Sequence, residues 1–286
     1  MFGLRSDGKK LKKLSAIMRC APHIAKERND SQNLHKCGID CEPMDNFIKE
    51  KSDIENVTYT YMDIVFSALV KTFALRPWCN RFVMNGRVYK HNTIEGTYVL
   101  KKNLADDGQE TTVKLSFSGK ENISEVRNII DSSIDENRKP KKENLSDKFV
   151  KKFKNAPNFV MKCAFGCAKI LDKHGLLPKG LISASPFHSS FLLTNLKSIK
   201  TEFIYHHLYN FGTCGLFVTM GKENMQAVVD KTNKIVAKKI MDLGIVMDDR
   251  FVDGFYWSKS LKLFKNFLEN PHSLEHGLAQ IVQDIN

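Results

Sequence analysis

Asp248-Asp249-Arg250-Phe251-Val252-Asp253-Gly254 puts three carboxylates and a guanidinium into seven residues, between an alternating apolar run and a segment of helical period. Such a turn can hold a buried ion pair or present a carboxylate base. An ordinary aspartate titrates near ~3.9 and a histidine near ~6.5, so Asp249 is a weak base at neutral pH unless its surroundings raise it. Burial and the like charges of Asp248 and Asp253 act in that direction, and Arg250 opposes them. Imidazoles that could take a proton instead are His188 and His207, the latter within His206-His207-Leu208-Tyr209-Asn210-Phe211-Gly212. Cys163 and Cys167, four apart on a helical stretch, could share a soft metal, but Ala164, Phe165 and Ala168 make this an apolar helix carrying thiols. Cys37 and Cys41 lack companion histidines at ligand spacing, and no metal is expected.

Several elements must position these groups. Apolar spacing at Tyr61, Ile64, Val65, Ala68, Leu69 and Phe73 predicts a helix ended by Arg76-Pro77. Asn85-Gly86 predicts a two-residue hairpin turn, flanked by strands at Arg81 to Met84 and Arg87 to His91. Further strands are expected at Gly96 to Leu100, Thr111 to Phe117, Leu181 to Ser185, Phe191 to Leu196, Thr213 to Met220, Gln226 to Val229 and Lys234 to Met247, with a hairpin turn at Lys231-Thr232-Asn233. Helices are expected over Glu42 to Ile54, Glu121 to Ile134, Asp147 to Lys154, Phe159 to Lys173 and Phe255 to Leu268, and the polar stretch Asp131 to Asp147 reads as a surface connection.

Composition narrows the class of protein. The 286 residues are 42% hydrophobic and 27% charged, the balance of a globular chain. No apolar run approaches the roughly 20 residues of a membrane span, and the basic start lacks the apolar stretch of a signal peptide, so a cytoplasmic location without membrane attachment is expected. Seven cysteines are too few for a disulfide scaffold of this length and are read as reduced thiols. A net charge of +12 suits an anionic partner. The lysine clusters lie on different elements and no recognition helix is present, which argues against nucleic acid.

The turn at Asp248 to Gly254 resembles the Asp-His-Arg-Val-Val-Asp-Gly signature of the dihydrolipoyl acyltransferase and chloramphenicol acetyltransferase superfamily. Ser183-Ala184-Ser185-Pro186-Phe187 looks like the Ser-Ala-x-Pro-Trp turn of the chloramphenicol enzymes, and Phe217-Val218-Thr219-Met220-Gly221-Lys222 like their Phe-Thr-Met-Gly-Lys strand. Thr194-Asn195-Leu196 is similar to the Ser-Asn-Leu of the dihydrolipoyl enzymes, and Phe267 to Pro271 matches the end of their helix. The motifs occur in the same order and span Ala16 to Pro271. The pair His206-His207 resembles a two-histidine acyl-transfer motif in outline, with Phe211 where that motif has an acid.

What the resemblance implies is a two-layer α/β sandwich with a mixed, largely antiparallel sheet. It implies a homotrimer with clefts between subunits, and coenzyme A or an acyl-coenzyme A as the small-molecule thioester. It also implies one acyltransferase-like domain over residues 16–286, with no lipoyl or subunit-binding domain, whereas the basic residues 1–15 read from their composition as an arm outside the family pattern. Asp249 occupies the position of the family's catalytic histidine. Thr194 keeps a hydroxyl where the family places a serine that hydrogen-bonds the oxyanion, and Asp253 matches the structural aspartate, for which Arg19 is the matching arginine partner. A retained scaffold with a lost base implies a degenerate site kept for binding; the alternative is an active acyltransferase using Asp249, His188 or His207 as base.

Overall fold

The computed structural model describes residues 5–101, 110–138, 151, 154–230 and 232–285. The expected helix over Asp147 to Lys154, most of the polar connection and Lys231 therefore lie largely or wholly outside the described residues.

The element order is β1 (Gly8–Lys10), α1 (Ala16–Ile24), β2 (Gln32–Asp40), α2 (Glu42–Glu55), α3 (Tyr61–Leu75), β3 (Arg81–Met84), β4 (Arg87–His91), β5 (Ile94–Lys101) and β6 (Glu110–Phe117). It continues through α4 (Ile123–Arg138), α5 (Asn158–Lys173), α6 (Lys179–Ala184), β7 (Phe191–Asn195), β8 (Leu216–Val229), β9 (Ile235–Asp248) and α7 (Gly254–Glu269). Six strands form one sheet in the order β2-β9-β8-β7-β5-β6, and β1-β4-β3 form a small antiparallel sheet beside it. Within the large sheet β5, β7 and β8 run parallel and the remaining pairs are antiparallel.

Strand alternation sorts the side chains into two faces. Phe191, Leu193, Val218 and Ile245 join the main core with the helices, whereas Leu192, Phe217 and Val246 face the other way, onto Leu208 and Cys214. The segment before β8 therefore covers the second face, with Tyr209 packed against it. Helix α3 is the centre of the helical layer and is buried at all but two of its 15 positions. Thr60 and Asp63 form a reciprocal capping box at its start, which fixes where the helix begins. Phe66 and Phe73 meet Phe191 with ring centroids 5.1 and 5.4 Å apart, joining helix to sheet.

The hairpin expected at Asn85-Gly86 is present, with φ of 51° and 67° at the two turn residues; these positive values make it a type I′ turn. The strands expected at Thr213 to Met220 and Gln226 to Val229 are one 14-residue strand, β8, bent by an irregularity between Met220 and Glu223. The expected strand over Leu181 to Ser185 is the short helix α6. Pro178 at its N-cap and no strand neighbour for its backbone outweigh the local alternation. No helix among the described residues is long and apolar enough to cross a membrane.

Candidate active site

The long hairpin β8–β9 brings Asp248 to the end of β9, where it pairs with Gln32 at the start of β2. Asp248 is fully buried. Its Oδ1 accepts the backbone N–H and Nε–H of Arg250 at 3.1 and 2.9 Å, and Oδ2 accepts Arg250 Nη2 at 2.7 Å. Arg28 Nε stands 3.4 Å from Oδ2, and Trp257 donates Nε1–H to the Asp248 carbonyl at 3.3 Å. Arg250 also reaches the Lys26 carbonyl at 3.0 Å. Two arginines thus meet one carboxylate, and burial pushes the Arg28 guanidinium below its ordinary value, with Asp248 opposing. Arg28 extends the clamp by donating to the carbonyls of Tyr209 and, at 2.9 Å, Gly212. Gly212 is required there: its φ is +88°, and a Cβ would lie 2.2 Å from the Phe187 carbonyl oxygen.

Asp249 follows with its residue exposed, its N–H bonded to the Ser31 carbonyl at 3.2 Å and its carboxylate accepting Asn33 Nδ2 at 3.1 Å. Its carboxyl is nonetheless shielded enough that burial, then Asp248, raise its pKa, while the Asn33 hydrogen bond and Arg250 oppose.

The Arg19–Asp253 ion pair is not formed. Both residues are exposed, and no ion pair joins them among the described residues. Asp253 is the N-cap of α7, its Oδ1 accepting the Tyr256 N–H at 2.7 Å. Helix α1 lies against the β3–β4 hairpin, where Arg19, Lys10, Lys12 and Arg87 line an open cleft of about 800 Å³ that has no carboxylate among its lining residues. The buried arginine–aspartate clamp belongs instead to Asp248, because its carboxylate is the one at the strand end that the core encloses. Sequence reading missed Arg28, whose only signal was an arginine shortly before β2.

Thr194 is half-buried on β7 opposite Thr219, which pairs with Gly244 on β9. Asp249 lies five residues further along, about 16 Å at the ordinary strand rise, so a single chain does not bring Thr194 and Asp249 together. His207 is exposed, and its ring lies beside those of His206 and Tyr209 at 4.8 and 4.9 Å. Cys163 and Cys167 are both exposed, and no cluster of three or more potential metal ligands occurs among the described residues.

His188 is placed differently. It is fully buried, with Nδ1 2.7 Å from Ser185 Oγ and Nε2 3.2 Å from Asp172 Oδ2. Nε2 approaches Asp172 without hydrogen-bond alignment. Asp172 also binds Arg5 through Oδ1 at 2.7 Å and its carbonyl at 2.6 Å, and Arg5 pairs with Asp7 at 2.9 Å. Burial pushes the Asp172 carboxyl up, but His188 and Arg5 together hold it below the usual range. Lys114 donates to the carbonyls of Ile182 and His188, both at 2.9 Å, fixing the two ends of the segment that carries Ser185. Phe211 stands edge-on to the His188 ring at 5.2 Å, so the residue in place of the motif's acid is a packing partner of this imidazole.

Comparison with known proteins places this arrangement. The family model described as 2-oxoacid dehydrogenases acyltransferase (catalytic domain) matches residues 188–275. Comparison with curated proteins gives no match. Among solved structures, the chain is similar to a probable dihydrolipoamide acetyltransferase from Listeria monocytogenes, with a TM-score of 0.58, 12% identity, and 91% of this chain and 94% of the other covered. It is also similar to the cubic core of a pyruvate dehydrogenase multienzyme complex, at TM-score 0.57, 10% identity and coverage of 93% and 94%. A chloramphenicol acetyltransferase gives TM-score 0.53, 12% identity and coverage of 91% and 99%. The chain therefore has the acyltransferase fold that these proteins share, and its residues 188–275 carry the sequence relationship to the 2-oxoacid dehydrogenase acyltransferase catalytic domain.

Proposed function

We propose that the protein binds coenzyme A or an acyl-coenzyme A thioester in an acyltransferase fold whose usual base position has lost its function. One observation carries this reading: the buried framework of the turn, Asp248 with Arg250 and Arg28, is complete, while Asp249 is tethered to Asn33 by a hydrogen bond. A carboxylate on one methylene is shorter than an imidazole and has no second nitrogen for the protein to orient. The four cations and absent acids of the cleft beside α1 supply surroundings suited to a ligand that carries phosphates. A homotrimer fits the separation of Thr194 from Asp249 within one chain, since a neighbouring subunit could bring the two positions together. Exposed Phe159, Ile170 and Leu171 on α5 leave apolar surface for such a contact.

The test is acyl transfer from acetyl-coenzyme A to a small thiol by the wild type and by Asp249→His. Restoring the imidazole should raise the rate by up to the roughly 10²- to 10⁴-fold that a positioned base contributes. A wild type turning over above about 1 s⁻¹ whose activity disappears in Asp249→Asn would make Asp249 the working base and overturn the degenerate reading.

A further inference from the structure

Away from the turn, Ser185, His188 and Asp172 bring a hydroxyl, an imidazole and a carboxylate within 3.2 Å of one another in succession. We propose that Ser185, His188 and Asp172 form a nucleophile centre that accepts the acyl group of a thioester, an activity separate from the Asp249 position. The proposal rests on the thioester-binding reading for its substrate class, but not for the reactivity of the serine.

The geometry argues it in three steps. Asp172 beside Nε2 favours the proton on that nitrogen, which leaves Nδ1 as the acceptor facing Ser185 Oγ at 2.7 Å. The Ser185 hydroxyl then donates to an imidazole whose far nitrogen stands 3.2 Å from a carboxylate, close to the nucleophile–base–carboxylate relationship that activates a serine. The parts are also held: Arg5 fixes Asp172, Lys114 fixes the carbonyls at both ends of the Ser185 segment, and Phe211 covers the imidazole. His188 is fully buried while Ser185 is half-buried, so the base is kept from solvent and the serine residue is partly exposed.

In the step itself, the Ser185 proton passes to His188 Nδ1 as Oγ bonds to the thioester carbonyl carbon. The C–S bond breaks, and the departing thiolate takes that proton from His188. A water molecule then attacks the acyl-serine, giving its proton to His188, which returns one to Oγ as the acid leaves. The net change is thioester plus water to carboxylic acid plus thiol.

A fluorophore-bearing alkyl fluorophosphonate, which reacts with activated serines, tests the centre on the full-length chain. One adduct is expected, on the peptide containing Ser185, absent in Ser185→Ala and formed at least about tenfold more slowly in His188→Asn. Asp172 acts through His188, so Asp172→Asn should move the pH at which labelling is half-maximal, which a merely structural carboxylate would not do. Incubation with acetyl-coenzyme A should acetylate the same peptide. Ser185→Ala removes one oxygen from a half-buried position and keeps the test valid should the His188 variant fail to fold. No adduct, or an adduct that persists in Ser185→Ala, overturns the proposal. The phosphonate needs no coenzyme A site, so this result is independent of whether acetyl-coenzyme A binds.

Discussion

Two carboxylates organise this molecule, and they are used in opposite ways. Asp248 spends its oxygens on two arginines and a backbone N–H inside the fold. Asp172 divides its oxygens between Arg5 and an imidazole that in turn faces a hydroxyl. The first arrangement has no proton to move, because arginine stays charged. The second contains an imidazole, whose two ring nitrogens can donate and accept a proton. The regions are also joined: Arg28 links Asp248 to the carbonyls of Tyr209 and Gly212, and Phe211 between them packs on His188. The turn at Asp248 is thus held by buried ion pairs, and the His188 group lies at the same end of the sheet, before β7.

The largest expected effect breaks the first region. Asp248→Ala strands two buried guanidinium groups and should cost about 3 to 5 kcal/mol in urea unfolding; a loss under about 1 kcal/mol would show that the clamp is not structural. Next comes acid sensitivity in the second region. Burial lowers His91 to about 4, with Asp7 partly opposing. The unfolded chain then binds more protons than the folded one between about pH 4 and 6.5, so stability should rise with pH across that window, by up to about 3 kcal/mol. His91→Phe should flatten that rise. Asp7, held low against burial by Arg5, and Asp172, held low against burial by His188 and Arg5, act in the same sense at lower pH: their contribution is full above about 3.9 and disappears as pH falls through their depressed values. Asp249, with its raised pKa, has the opposite sign, favouring the folded state less as pH rises.

Smaller effects sharpen the assignment of the turn. Asp253→Ala removes an N-cap and should cost about 1 kcal/mol, well short of the loss expected for a buried ion pair. Arg19→Ala should change stability by less than about 0.5 kcal/mol, since its guanidinium lines an open cleft. A loss of several kcal/mol from Arg19→Ala would restore the pairing expected from the sequence.

The division between what the residues foretold and what they did not follows chain distance. The turn around Asp249 was legible because its acids and arginine are neighbours, and the Asn85-Gly86 hairpin because two positive φ values demand such residues. The clamp was assigned to the wrong aspartate: which of Asp248 and Asp253 is enclosed depends on β2 and on Arg28, 220 residues earlier than Asp248 in the chain. The anchoring of Asp172 was beyond reach for the same reason, since Arg5 lies 167 residues from it. Helix α6 was mistaken for a strand because its six residues are too short to display a period.

The central claim is that the fold holds an acyl thioester without using Asp249. Thermal unfolding with acetyl-coenzyme A up to millimolar concentration, run on the wild type and on Asp249→Asn, tests it most directly. A ligand at about 100 times its Kd stabilises by about 2.7 kcal/mol, and the account predicts a rise in Tm of the same size in both proteins. No rise in the wild type, or a rise abolished by Asp249→Asn, would contradict it.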